Sequence, residues 1–137
     1  MPIPIYTYTW TIPSSFEALE EIVEELSALL ESLGIDEELI MRVVVATSEA
    51  ITNAIVHGNK LMDNQQVYIK VTISEQYIEV TVEDEGEGFD RTLIPDPLLE
   101  NALLNPSGRG IFLIEELANK VYYENGGRRV VMHFERT

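Results

Sequence analysis

The chain has 137 residues and no cysteine, and its 9 Lys plus Arg stand against 24 Asp plus Glu, a formal net charge of −15. So acidic a surface repels phosphodiester backbones and anionic membranes, which argues against both as partners. The absence of cysteine excludes disulfides and thiolate metal sites. No apolar run approaches the roughly 20 residues that cross a bilayer, and the N-terminus lacks the basic start of a secretory signal. We therefore expect one globular domain over residues 1–137, located in the cytoplasm.

The chain begins with a predicted strand and helix. Residues 6–12 alternate threonine with aromatic or branched side chains, which is typical of a strand. Ser14 and Glu17 have the spacing of a capping box, so a helix is expected to begin there. Its apolar residues recur at helical spacing as far as Leu33, and Gly34 follows at the position where helices terminate.

A second helix and a hairpin are predicted next. Asp36 is a favoured N-cap residue, and the helix that it begins is expected to run to about Gly58. Residues 67–73 and 78–83 both alternate apolar and polar side chains. Four residues join them, so they predict a hairpin with one apolar face.

The last third of the chain predicts a loop, a helix and two more strands. Residues 86–110 contain repeated glycine and proline and are expected to form a loop. A helix is expected over residues 110–119, followed by strands at 121–124 and 128–134 with a glycine turn between them. The whole order indicates an α+β two-layer sandwich: a mixed, largely antiparallel sheet with helices on one face.

The second helix carries the first candidate site residues. Its apolar residues fall on one side, and Glu49 and Asn53 fall on the other, one turn apart, in line with Arg42, His57 and Lys60. Asn is a poor helix former, so Asn53 suggests a task for its amide oxygen, a fitting ligand for Mg²⁺. A carboxylate one turn away can orient water or accept a proton from a hydroxyl. A solvated helix surface explains the same pattern.

Two glycine segments add weaker signals. Asp84 ends an apolar strand and precedes Gly86 and Gly88, so its carboxylate can accept from the exocyclic amine of adenine while the glycines let the base approach the backbone. An ordinary acidic turn is the alternative. Gly108-Arg109-Gly110 precedes an apolar helix, and the free backbone N–H groups at a helix start can bind phosphate. A simple junction between loop and helix is the alternative. Arg109 can pair with phosphate oxygens or point to solvent.

Together the three segments resemble the N, G1 and G2 boxes of the GHKL ATPase superfamily, whose fold is the Bergerat α/β sandwich. The matching motifs are Glu-x-x-x-Asn-x-x-x-His at 49–57, Asp-x-Gly-x-Gly at 84–88 and Gly-x-Gly before a helix at 108–110. The small size, the His-Gly-Asn ending at 57–59 and the last box are most similar to the bacterial anti-sigma factor serine/threonine-protein kinases. The resemblance covers nearly the whole chain.

This resemblance implies a role for each matched position. Asn53 would coordinate Mg²⁺, and Glu49 would be the catalytic base toward a protein serine. Residues 91–107 would form the ATP lid. Asp84 would bind adenine, Gly86 and Gly88 would lie around the base, and the last two glycines would hold the phosphates. The full set of residues expected to bind ATP is Asn53, His57, Asp84, Gly86, Gly88, Gly108, Arg109 and Gly110.

The resemblance also implies partners. Members of the family act as homodimers, bind a sigma factor in one state and phosphorylate a STAS-type anti-anti-sigma protein in another. The chain is therefore expected to be a serine-protein kinase and anti-sigma factor that uses ATP and Mg²⁺, with no direct contact to nucleic acid or membrane.

One position departs from the family pattern. Some of these kinases have an Arg two residues before the first glycine of the last box, where it reaches the γ-phosphate, and this chain has Pro106 there. Neutralising that phosphate is a large part of phosphoryl transfer. An ATP-binding regulatory switch with little or no kinase activity is therefore the alternative. The ATP domain of a histidine kinase is less favoured, because the chain shows no phospho-accepting histidine segment.

Overall fold

The computed structural model of the chain describes residues 5–59, 64–86 and 106–136, with the backbone alone from 106 to 111. Within these ranges the strands are β1 (Tyr6–Pro13), β2 (Gln66–Ile73), β3 (Tyr77–Glu83), β4 (Lys120–Glu124) and β5 (Arg129–Glu135). The α-helices are α1 (Phe16–Ser32), α2 (Glu37–Asn53) and α3 (Pro106–Leu117). A π-helical turn, Ala54–Gly58, continues α2.

The strands form one sheet in the order β1-β2-β3-β5-β4, and all pairings among the described strands are antiparallel. The alternation of each strand places every second residue on the inner face. Val71, Val80 and Met132 lie side by side on β2, β3 and β5, and all three are fully buried. This arrangement confirms the predicted α+β sandwich with its largely antiparallel sheet.

The helices pack on the inner face, with α2 in the centre. It contacts α1 and α3 and lies over β3 and β5, so its Val43 and Ile51 are completely buried, as is Ile55 in the π turn. By length and composition alone the helical stretch Glu37–Gly58 could cross a membrane, but half of its apolar window is buried in the fold. The neighbouring helices and the sheet account for its apolar character.

The start of α1 differs from the predicted capping box. Ser15 is the N-cap, and its Oγ accepts a hydrogen bond of 3.2 Å from the N–H of Ala18. Ser14 is buried, and its hydroxyl donates instead to the carbonyl of Gln65 at 2.7 Å. The prediction of Ser14 as the cap was wrong, because a contact distant in sequence occupies its hydroxyl.

The junction between α1 and α2 follows the prediction. Gly34 adopts a φ of 72°, and its N–H bonds to the carbonyl of Glu31 while that of Ile35 bonds to Leu30. These bonds form a Schellman motif, which requires the left-handed conformation that glycine adopts most easily. Asp36 occupies the N-cap position of α2 without a side-chain hydrogen bond to the helix.

Candidate functional site

The Glu49 and Asn53 side chains lie half-buried on α2, one turn apart. In the described part of the chain neither side chain makes a hydrogen bond. Arg42, earlier on the same stripe, donates to the carbonyl of Leu117 at 3.0 Å and to Oδ1 of Asn119 at 3.1 Å, both at the end of α3. The stripe is therefore packed against the end of α3 at Arg42, whereas its other end at His57 is exposed.

The end of this helix widens into the π turn. The N–H of Asn59 bonds to the carbonyl of Ala54, five residues back, at 2.7 Å. Single π turns inside α-helices occur frequently at functional sites. Here the turn leaves His57 exposed and Asn59 completely buried, with Gly58 between them at the last position of the turn.

The Asp84 loop follows β3 and lies against the end of the α2 stretch. The N–H of Asp84 bonds to the carbonyl of Arg128 at 3.0 Å. The N–H of Glu85 bonds to Oδ1 of Asn59 at 2.8 Å. The N–H of Gly86 bonds back to Oδ1 of Asp84, also at 2.8 Å. Three consecutive amides are thus occupied, and the half-buried Asp84 carboxylate has a defined direction.

Two glycines allow this close contact. A Cβ added to Gly58 would lie 2.7 Å from Oδ1 of Asp84 and nearer still to its Cγ and Oδ2. A Cβ added to Gly86 would lie 2.5 Å from the carbonyl carbon of Gly58. Cβ atoms essentially never approach other atoms below 3.0 Å. A side chain at position 58 would therefore displace the Asp84 carboxylate, and one at position 86 would push against the backbone of Gly58.

Burial raises the pKa of Asp84 above its ordinary value of 3.8, and this desolvation outweighs the Gly86 amide and the Arg128 charge, which lower it. The nearby Glu83 charge also raises it. Such a carboxylate gains more than an exposed one from a hydrogen-bond donor that binds its charged form. An amine edge such as that of adenine supplies a donor of this kind.

The glycines of the last box lie inside a helix rather than before it. α3 begins at Pro106, four residues earlier than predicted, because proline is pre-organised for the first helical position. The N–H of Gly108 falls within the first turn, where amides lack intrahelical partners, whereas Gly110 is four residues into the helix. Nothing is described of the Arg109 side chain. Gly88 and residues 91–105 of the expected lid lie outside the described residues.

The described residues contain no cluster of three or more His, Asp or Glu that could hold a metal ion. The one-ligand arrangement proposed at Asn53 does not need such a cluster, because Mg²⁺ commonly takes one or two protein ligands together with phosphate oxygens. His133, the second histidine, lies on β5 and contacts Glu79 and Tyr77 on the sheet, away from this site.

Comparison with known proteins identifies the family. The sequence profile of the histidine kinase-like ATPase domain matches residues 12–134. The chain belongs to this ATPase family. It is 35% identical over 109 residues to "Serine-protein kinase RsbW" of Listeria monocytogenes serotype 4a, covering 74% of this chain and 69% of that protein. It is 34% identical over 112 residues to "Anti-sigma F factor" of Clostridium perfringens, covering 78% of this chain and 80% of that protein.

A further relative matches in sequence, and a solved structure matches in fold. "Serine-protein kinase RsbW" of Bacillus subtilis is 32% identical over 120 residues, covering 83% of this chain and 75% of that protein. The crystal structure of the RsbU and RsbW domains of Rv1364c from Mycobacterium tuberculosis matches with a TM-score of 0.66 and covers 96% of this chain. The chain spans only 32% of that longer polypeptide, and at 16% identity the likeness shows the fold alone.

Sequence reasoning assigned no site role to Gly58, Asn59 or Glu85. The first two lie in the box ending that carried the family resemblance, but their contacts to the Asp84 loop join residues more than 25 positions apart. A glycine at a helix end has an ordinary explanation as a terminator. Only the three-dimensional contact distinguishes a terminator from a position where a side chain would displace the Asp84 carboxylate.

Proposed function

We propose that this chain is an ATP-dependent serine-protein kinase and anti-sigma factor, which phosphorylates a STAS-type anti-anti-sigma protein and sequesters a sigma factor. The observation that carries the proposal is the contact between Gly58 at the end of the α2 stretch and the Asp84 carboxylate. It joins two of the three motifs at one point of the fold. Relatives named as a serine-protein kinase and as an anti-sigma factor support the same activity.

The residues present fit ATP and Mg²⁺. The half-buried Asp84 carboxylate has one oxygen on the Gly86 amide and keeps acceptor capacity for the adenine amine. The missing side chains at Gly58 and Gly86 let the Asp84 loop lie directly against the end of the α2 stretch. Asn53 offers a half-buried amide oxygen, and Mg²⁺ held there would neutralise charge on the transferring phosphate.

Glu49 is the proposed general base. In the transfer the serine oxygen bonds to the γ-phosphorus, the bond from that phosphorus to the bridging oxygen breaks, and ADP leaves. The hydroxyl proton passes to the Glu49 carboxylate, which lies one helical turn from Asn53. Gly108 and Gly110 would contribute backbone near the phosphates. His57 and Arg109 would lie at the edge of the same nucleotide site.

The partners and the cell compartment are part of the proposal. We expect a homodimer located in the cytoplasm, with a sigma factor and an anti-anti-sigma protein as alternative partners. The formal net charge of −15 disfavours nucleic acid and anionic membrane as direct partners.

The test is calorimetric titration of ATP in the presence of Mg²⁺ or EDTA. Wild type should bind ATP more tightly with Mg²⁺, and Asn53→Ala should remove most of that difference. Thr52→Ala is the matched control, because its half-buried hydroxyl bonds to the Ser48 carbonyl within the helix, at 2.8 Å. A folded wild type that binds no ATP would refute the ATP-dependent function.

Phosphoryl transfer needs a separate assay. Purified chain, labelled ATP and a STAS-domain protein should give phosphoserine, and Glu49→Gln should abolish it while ATP still binds. Nucleotide binding without transfer in wild type would favour the alternative, an ATP-dependent switch. That alternative is suggested by Pro106, which begins α3 at the position where an Arg reaches the γ-phosphate in some related kinases.

A further inference from the structure

We propose that Asn59 is a positioning residue for adenine recognition, which holds the Asp84 loop in the orientation that reads the base. The inference rests on the proposed ATP binding. It concerns a residue that contacts no nucleotide itself and acts only through the backbone of the loop.

The Asn59 side chain is completely buried, and all of its strong hydrogen-bonding directions but one are occupied. Nδ2 donates to Oγ of Ser14 at 2.9 Å and to the carbonyl of Gln66 at 3.0 Å. Oδ1 accepts from the N–H of Glu85 at 2.8 Å. The side chain thus joins the start of α1, the start of β2 and the Asp84 loop.

The direction of this amide is determined by its partners. A backbone carbonyl can only accept, and the Ser14 hydroxyl already donates its proton to the carbonyl of Gln65 at 2.7 Å. Both groups therefore require the NH₂ end of Asn59, and the oxygen must point at the amide of Glu85. A reversed amide would leave the buried Ser14 hydroxyl oxygen, the Gln66 carbonyl and the Glu85 N–H without this partner, and the loss is costly where the group is buried.

The position of Asn59 depends on the π turn. In a regular α-helix the amide of Asn59 would bond to the carbonyl four residues back, at Ile55, but here it bonds to Ala54 at 2.7 Å. With this wider turn the Asn59 side chain lies in the interior, beneath the Asp84 loop. The π turn thus accompanies the hydrogen bond from the Glu85 amide to Asn59.

The bond to Glu85 matters because it lies between the two amides that orient Asp84. On one side the N–H of Asp84 bonds to the carbonyl of Arg128, and on the other the N–H of Gly86 bonds to the Asp84 carboxylate. The Glu85 carboxylate adds a contact to the backbone N–H of Gln66. Without Asn59, the middle amide of this series loses its partner and the peptide planes on either side can rotate.

The experiment compares ATP with inosine triphosphate, whose base carries a carbonyl oxygen where adenine has the exocyclic amine. Wild type should prefer ATP. Asn59→Ala should reduce that preference by about tenfold, the lower end of what a hydrogen bond to a charged group contributes. Asn59→Asp keeps an acceptor for the Glu85 amide but loses both donors, so it should be less stable yet retain most of the preference.

Ser74→Ala is the control for general destabilisation. Ser74 is buried in the β2–β3 turn, at the opposite end of these strands from Gln66 and Asp84, and its hydroxyl accepts from the amides of Gln76 and Tyr77. Its loss should lower stability without changing the preference for ATP. A role of Asn59 in stability alone would likewise leave the preference of Asn59→Ala unchanged, and that result would overturn the proposal.

A measurement on wild type covers the case in which the variants do not fold. The Glu85 amide is bonded to a buried side chain, so in the nucleotide-free protein it should exchange its hydrogen far more slowly than an exposed loop amide. Rapid exchange at Glu85 would overturn the positioning role. If wild type bound neither nucleotide, the ATP-dependent function itself would fail, and slow exchange would still report on the contact.

Discussion

The replacement Gly58→Ala tests the contact on which the proposed adenine site depends. The added methyl group would lie 2.7 Å from Oδ1 of Asp84 and closer to its Cγ and Oδ2. Ordinary contact with a Cβ begins at 3.4 Å. The carboxylate must therefore move by at least about 0.7 Å, because the helix that bears the methyl group is held by the sheet and by α1 and α3.

The size of the effect follows from hydrogen-bond geometry. A hydrogen bond to a carboxylate is well formed over a range of only about 0.5 Å, so a shift of 0.7 Å disrupts the bond from Asp84 to the adenine amine. Hydrogen bonds to charged groups are worth about 1.5–3 kcal/mol. We therefore expect ATP to bind about 10- to 150-fold more weakly.

The assay is calorimetric titration of ATP, with the folded fraction checked by circular dichroism. Gly34→Ala is the control: it places an alanine at a φ of 72°, where its methyl group meets nothing within 4 Å. That substitution should cost about 1–2 kcal/mol of folding free energy and leave ATP affinity unchanged. If folded Gly58→Ala bound ATP with wild-type affinity, the assignment of Asp84 as the adenine-reading carboxylate would be refuted.

Three further predictions follow from the structure. Burial raises the pKa of Asp84 in the folded protein, so ionisation of this carboxyl lowers the free energy of unfolding as the pH rises above 3.8. Asp84→Asn should therefore be more stable than wild type near neutral pH. In urea unfolding this difference should vanish below pH 3.8. Gly86→Ala should lower the melting temperature more than Gly126→Ala, because a Cβ at position 86 would meet the backbone of Gly58 whereas one at position 126 meets open space. The reverse order would contradict the close contact between Gly86 and Gly58. Ser15→Ala should cost about 1 kcal/mol in chemical denaturation as the loss of an N-cap, and an unchanged stability would show that the cap is elsewhere.

Much of the fold was predictable because its signals are local. Strand alternation predicted the hairpin of β2 and β3 and the last two strands, and the glycine after α1 predicted its end. Local signals failed where a distant partner decides. Ser14 has the sequence features of a helix cap, but Gln65 and Asn59 occupy its hydroxyl. α3 begins at Pro106 because proline is favoured at the first position of a helix, and the two glycines after it do not interrupt the helical backbone.

The candidate site divides in the same way. Glu49 and Asn53 were identified by helical spacing, which places any two residues four apart on one face. Asp84 was identified by its place after an apolar strand. Their roles in catalysis and binding remain predictions, supported by family membership and by the contact between the two motifs. Nothing local distinguished Asn59 from other polar residues at a helix end.

The sequence by itself determined the order of elements, the apolar faces and the family motifs, because periodicity and short motifs are properties of neighbouring residues. The tertiary structure alone decided that Gly58 lies against the Asp84 carboxylate, that Asn59 is buried under the Asp84 loop and that the carboxylate of Asp84 is partly desolvated. These properties depend on where two segments some 26 residues apart in the sequence come into contact. The packing of α2 on the sheet sets this contact, and no short stretch of sequence encodes that packing.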